Sequence, residues 1–143
     1  MTLIIDAAPL VALGDSRDPL HARVGDVMRA EHGVLVVPAP VSAEADYLIR
    51  HRGTAQAARE FLHDVAAGRF LVEGLTAEEH GMAARLDEQY SDLELGLADA
   101  SVVILAQRFR TTRLLSFDER DFRAVTPLGG GHFTLLPRDE DLR

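Results

Sequence analysis

The sequence predicts an α/β fold, a three-layer α/β/α sandwich around a mostly parallel central sheet. Two observations carry that expectation. Five short apolar runs recur along the chain, and amphipathic helical patterns separate most of them from the next. Parallel strands joined by helical crossovers satisfy such alternation, because each helix can bury its apolar face on the sheet. At 143 residues the chain is expected to form one domain, 1–143, with a sizeable core.

The elements follow in order. Leu3-Ile4-Ile5 reads as a strand ending on Asp6, and a helix over Ala8–Leu13 comes next. A longer helical pattern covers Pro19–Glu31, and Val34–Val37 is the second strand. Pro38 and Pro40 suit the opening of a helix over Val41–Arg52, since the first turn leaves its N–H groups unbonded anyway. Gly53 stops that helix, and Gly68 stops the next, Ala55–Ala67. Phe70–Glu73 is the third strand. Thr76 caps a helix over Ala77–Tyr90, with Glu79 completing a capping box. The helix Ala98–Arg108 holds the longest apolar run, Val102 to Ala106. Strands over Leu114–Ser116 and Phe133–Leu136 complete the sheet. Ser116–Phe122 resembles a turn entering a short helix, Gly129-Gly130-Gly131 is a loop, and the tail Arg138–Arg143 is expected to fray.

Composition removes several function classes. With no cysteine, disulfides, zinc–thiolate sites and cysteine nucleophiles are excluded. Every basic residue is arginine, so a P-loop lysine and Schiff-base chemistry are excluded too. A net charge of −8 argues against binding nucleic acid through a broad basic surface, though not against a nucleic-acid enzyme. The apolar runs are far shorter than the roughly 20 residues a membrane helix needs. A strand starting right after Met1 leaves no room for a signal peptide, so a cytoplasmic protein is expected.

Four acids stand in apolar surroundings. Asp6 ends the first strand. Glu44 has Pro40, Val41, Tyr47 and Leu48 at helical spacing, and Asp99 has Leu95, Gly96, Val102 and Val103. Asp118 follows Leu114-Leu115-Ser116-Phe117. A carboxylate on an apolar stripe is expected to face inward, where an unpaired charge is costly. No basic residue shares those faces. Carboxylates without His or Cys suit a hard cation, Mg2+ or Mn2+. Asp6 and Asp118 lie at strand carboxyl ends, where open α/β sheets bind ligands, and Glu44 and Asp99 lie near helix starts. The expected chemistry is phosphodiester hydrolysis by metal-activated water.

The residues also carry a family resemblance. Asp6-Ala7-Ala8-Pro9-Leu10-Val11-Ala12-Leu13, Val41-Ser42-Ala43-Glu44, Leu95-Gly96-Leu97-Ala98-Asp99-Ala100 and Ser116-Phe117-Asp118-Glu119-Arg120-Asp121-Phe122 resemble the successive motifs of the PIN-domain nucleases. Length and spacing are most similar to the VapC toxins of bacterial toxin–antitoxin pairs. The resemblance spans essentially the whole chain. It implies a Mg2+-dependent endoribonuclease acting on tRNA or rRNA, a homodimer, and inhibition by a VapB-type antitoxin. It also implies that Asp6 and Asp99 are core metal ligands, with Glu44 and Asp118 completing the pocket directly or through water. Asp121 is a candidate fifth acid. Two departures stand out: Ala8 replaces a common hydroxyl, and Ser116 stands where threonine is usual.

Other readings compete for the same residues. A haloacid-dehalogenase-like phosphatase wants an acid at Ala8, and a receiver domain wants a lysine, so both are disfavoured. A catalytically silent PIN-like binding module is the remaining alternative. Asp46 and Arg50 read as a solvated i,i+4 pair, the six histidines as surface groups, and Asp92 as a loop residue. RNA contact is expected from among Arg50, Arg52, Arg108, Arg110, Arg113, Arg120 and Arg123. Val24–Met28 and Phe61–Val65 offer apolar positions for core packing or for a partner helix.

Overall fold

The computed structural model of the chain describes residues 1–140. In chain order the elements are β1 (Leu3–Ile5), α1 (Ala7–Leu13), α2 (His21–Ala30), β2 (Leu35–Pro38), α3 (Ala39–Arg52), α4 (Ala55–Ala66) and β3 (Leu71–Glu73). They continue with α5 (Ala77–Gln89), a 3-10 turn at Ser91–Leu93, α6 (Gly96–Arg108), β4 (Arg113–Leu115), α7 (Glu119–Ala124) and β5 (Thr134–Leu136). The strands pair in the order β3-β2-β1-β4-β5, and every pairing is parallel. Ile4 is the centre of the register, facing Val36 on one side and Leu114 on the other.

Local chemistry explains most boundaries. Proline at the opening of α3 matches the expectation from Pro38 and Pro40. Thr76 accepts from the Glu79 amide while the Glu79 carboxylate accepts from the Thr76 amide, the expected capping box. Gly68, at φ +81°, takes the left-handed conformation that ends α4. Asp92 falls in the 3-10 turn and is exposed.

The sheet is buried because helices cover it. Leu3, Ile4 and Ile5 of β1 and Leu114 and Leu115 of β4 are fully buried. Helix α6 is buried from Ala100 through Ala106, all round rather than on one stripe, and it packs on β1, β2, α3 and α5. The chain steps outward from β1 to β2 and β3, then crosses back past β1 to β4 and β5. Chain direction therefore reverses between β1 and β4, a topological switch point. The carboxyl ends of these two strands frame the site.

Several expectations about side chains are refined here. Val24, Val27 and Phe61 are buried, so the two apolar segments proposed for a partner helix serve mainly as core. Arg108 holds Glu73, Glu79 and the Gly74 carbonyl, fastening α6 to the β3–α5 turn. Arg113 pairs with the largely buried Glu31. Arg123 donates to both carboxylate oxygens of Asp139, and Arg50 pairs with Asp46 as expected. Each of these arginines is engaged in an ion pair within the chain. Five histidines are exposed, and half-buried His21 has its ring nitrogen 3.0 Å from the Ala12 carbonyl.

The expected fraying of Arg138–Arg143 is corrected for its first part. Asp139 is buried and accepts from the Leu135 amide at 2.7 Å as well as from Arg123, which folds 138–140 back onto β5. Residues 141–143 lie outside the described residues.

Candidate active site

Four segments meet at the β1/β4 switch point. Asp6 leaves β1 as the N-cap of α1, and its Oδ1 accepts from the Ala7 amide at 2.9 Å. Its Oδ2 accepts from Ser116 Oγ at 2.9 Å, across 110 residues of sequence. Ser116 Oγ in turn accepts from the Asp118 amide at 3.0 Å. Asp118 is the N-cap of α7, where its Oδ1 accepts from the Asp121 amide at 3.0 Å. One buried hydroxyl thus ties the ends of two neighbouring strands to the start of a helix.

Asp99 arrives from the other side, in the first turn of α6. Asp99, Asp118 and Asp121 are all half-buried, and each offers a carboxylate oxygen within 4.8 Å of the others. Asp121, a candidate fifth acid on sequence grounds, therefore stands inside the group. Asp118 does what both of its sequence readings required, capping a helix with one oxygen while belonging to the acidic cluster.

Glu44 differs from the expectation. It is exposed, not turned inward. The buried stripe of α3 is Val41, Ala45 and Ile49, at i, i+4 and i+8. Tyr47, a neighbour of Glu44 at helical spacing, is itself 59% exposed and stacks on His51. The carboxylate of Glu44 is still close enough for its charge to act on Asp6 and Asp99. It stands at the mouth of the acidic site.

Electrostatics gives the site its character. Among the described residues no arginine or histidine forms an ion pair with Asp6, Asp99, Asp118 or Asp121. Burial, then the charges of Asp6, Asp118, Asp121 and Glu44, pushes Asp99 up to about 7. Burial also raises Asp6, against the two hydrogen bonds that lower it. Asp121 is raised by burial and by its neighbour Asp118. Such a set can neutralise itself in two ways, by taking up protons or by taking up a cation. All-oxygen donors of this charge and spacing fit a hard divalent ion.

The protonation route predicts how stability depends on pH without metal. Asp99 ionises near the ordinary 3.8 in the unfolded chain and at about 7 in the folded one. Between those values the unfolded chain binds fewer protons, so folded-state stability falls as pH rises through that window. Thermal melts in a chelator from pH 5 to pH 8 should show a steadily falling Tm. A Tm that rises over the range would contradict the assignment.

Comparisons with known proteins bear on the family and the fold. No family model matches the chain. The ribonuclease VapC26 of Mycobacterium tuberculosis (strain ATCC 25618 / H37Rv) is 39% identical over 135 residues, 94% of this chain and 100% of the relative. Among solved structures, the M. tuberculosis toxin VapC20, a sarcin-ricin loop cleaving toxin, superposes with a TM-score of 0.76 at 19% identity. That match covers 82% of this chain and 91% of the other. A toxin–antitoxin complex from Klebsiella pneumoniae gives a TM-score of 0.64 at 19% identity, covering 87% and 97%.

Proposed function

The chain belongs to the PIN-domain VapC ribonucleases of toxin–antitoxin systems, and on that premise we propose that it is a Mg2+-dependent endoribonuclease of tRNA or rRNA. A single observation carries the finer reading. Three carboxylates converge within 4.8 Å beside a fourth, with no basic group paired to them among the described residues. Mn2+ would meet the same donor set.

In this reading Asp99, Asp118 and Asp121 hold the ion together with Asp6, and Glu44 reaches it directly or through water. A divalent ion bound there supplies positive charge for the departing oxygen and an acidified water. The protein's part is to hold the donors aligned and close together, where burial and mutual repulsion leave them short of a cation. Asp99 must lose its proton to bind a cation, so affinity should climb as pH rises toward and past 7. Ser116 fixes the rotation of Asp6 and the position of the Asp118 backbone at once. Ser116→Ala should therefore weaken Mg2+ binding about 10–100-fold, while Ser116→Thr, which keeps the hydroxyl, should retain most of it. Isothermal titration of the two variants decides this.

A cognate VapB-type antitoxin is the expected inhibitor, and a homodimer the expected assembly. The first RNA to test is a ribosomal stem-loop, since a neighbour in fold is a sarcin-ricin loop cleaving toxin. Purified protein would be incubated with total RNA in Mg2+ or EDTA, and new 5′ ends mapped. Cuts at one or a few sites that vanish in EDTA support the proposal. Absence of cuts from folded, Mg2+-saturated protein would leave the silent binding module as the better reading.

A further inference from the structure

Beside the acids, on the β4–β5 side, lies a second cavity of about 330 Å3. It shares Ser116 with the acidic site, and Phe117, which lines it, is the residue between Ser116 and Asp118. Its apolar surface comes from Phe117, Leu20 and Pro137. Leu20 is 39% exposed. Its polar lining is supplied by Arg23, Arg138 and Glu119.

Those polar groups are held but not used up. Arg23 donates to the Pro137 carbonyl at 3.1 Å and lies 3.4 Å from Glu140. Arg138 is 75% exposed, with its Nε 3.7 Å from Glu119. Glu119 is half-exposed, and its nearest guanidinium nitrogens, on Arg123 and Arg138, stand 3.7 Å away. A guanidinium and a carboxylate side by side at 3.7 Å, both solvent-accessible, can bond to adjacent atoms on one edge of a ligand.

Resting on the ribonuclease reading above, we propose that this cavity binds the guanine base of a nucleotide flanking the scissile phosphate. Unpaired RNA bases are read by stacking on aromatic or guanidinium planes and by hydrogen bonds to their edges. Guanine presents O6 and N7 as a pair of acceptors for arginine, and N1–H and N2–H as donors for a carboxylate. Uracil offers neither pair, and adenine places an amino donor where O6 would accept. Arg138 and Glu119 are therefore specificity-determining residues, and Phe117 and Leu20 provide the surface on which the base lies. The cavity's position beside Asp6 and Asp118 sets the guanine next to the bond that is cut.

The test separates base recognition from cleavage. Guanosine, adenosine and uridine 5′-monophosphates are titrated into the 15N-labelled, Mg2+-loaded protein, and amide and arginine Nε shifts are followed. The shared phosphate cancels in the comparison. Expected are shifts at Phe117, Glu119 and Arg138, and an affinity for the guanosine nucleotide about tenfold or more above that for uridine. Glu119→Gln and Arg138→Ala, both at exposed positions, should each bring the affinities to within about twofold. Equal affinities for all three nucleotides, or shifts confined to other surfaces, would overturn the proposal. Guanine binding in a protein that cuts no RNA would keep the cavity and sink the nuclease reading. RNA cleavage with flat nucleotide affinities would do the opposite.

Discussion

Asp99→Asn is expected to lower the single-turnover cleavage rate by about 10³-fold or more and, in the same protein, to raise the metal-free Tm at pH 8. The two halves have one cause. Asp99 lies among Asp6, Asp118, Asp121 and Glu44, and burial together with these charges lifts it to about 7. At pH 8 without metal its ionised form opposes folding, and a neutral amide of the same shape removes that opposition. The same amide is a poor ligand for a hard cation that needs charge compensation. Rates with Mg2+ and melts in a chelator, on one preparation, check both. If Asp99 were a structural acid with a basic partner, the substitution would lower the Tm instead. The falling Tm between pH 5 and pH 8 should also flatten in this variant.

Phe122→Ala is expected to cost about 3–5 kcal/mol of folding stability. Phe122 is 1% exposed and is the only fully buried residue of α7. Its ring meets Phe133 edge-to-face, with centroids 6.1 Å apart and planes at 81°. A six-residue helix has too few turns to stand alone, so this apolar anchor, with the Arg123–Asp139 pair, sets where α7 sits. Asp118 and Asp121 ride on the same helix. Cleavage at a temperature where the variant is still folded should therefore fall as well, because the two acids lose their alignment with Asp99. Urea unfolding gives the first quantity and activity at low temperature the second. A cost under about 1 kcal/mol would mean that other contacts hold the helix.

The sequence made the architecture legible because its elements are short and their chemistry is local. Apolar triplets such as Leu3-Ile4-Ile5 and the Thr76–Glu79 box each state their own conformation, and the observed bounds differ by only a residue or two. Asp6, Asp99 and Asp118 were legible for a related reason, since a carboxylate bordering an apolar run has few ordinary uses. The exposure of Glu44 was not legible, because Tyr47 and Leu48 suggest an inward face at its spacing, whereas the residues of α3 that are buried are Val41, Ala45 and Ile49. Asp121 could not be settled, because its place depends on how α7 is pinned by a contact to Phe133. The arginines were least legible. Arg108, Arg113 and Arg123 are each consumed by acids distant in sequence, and no local pattern announces such pairs. Arg23 and Arg138, which line the cavity beside the acids, come from opposite ends of the chain.

The hydroxyl of Ser116 joins a strand that the chain completes first to one that it completes nearly last. Asp6 emerges early in synthesis, but its partner is made only after more than a hundred further residues, and Asp118 and Asp121 follow. At roughly 5–20 residues per second, that interval lasts several seconds or longer. A nascent chain in that interval carries no assembled acidic cluster, however well its first helices have formed. Strand order alone therefore keeps the two halves of the acidic site apart until β4 and α7 have been made.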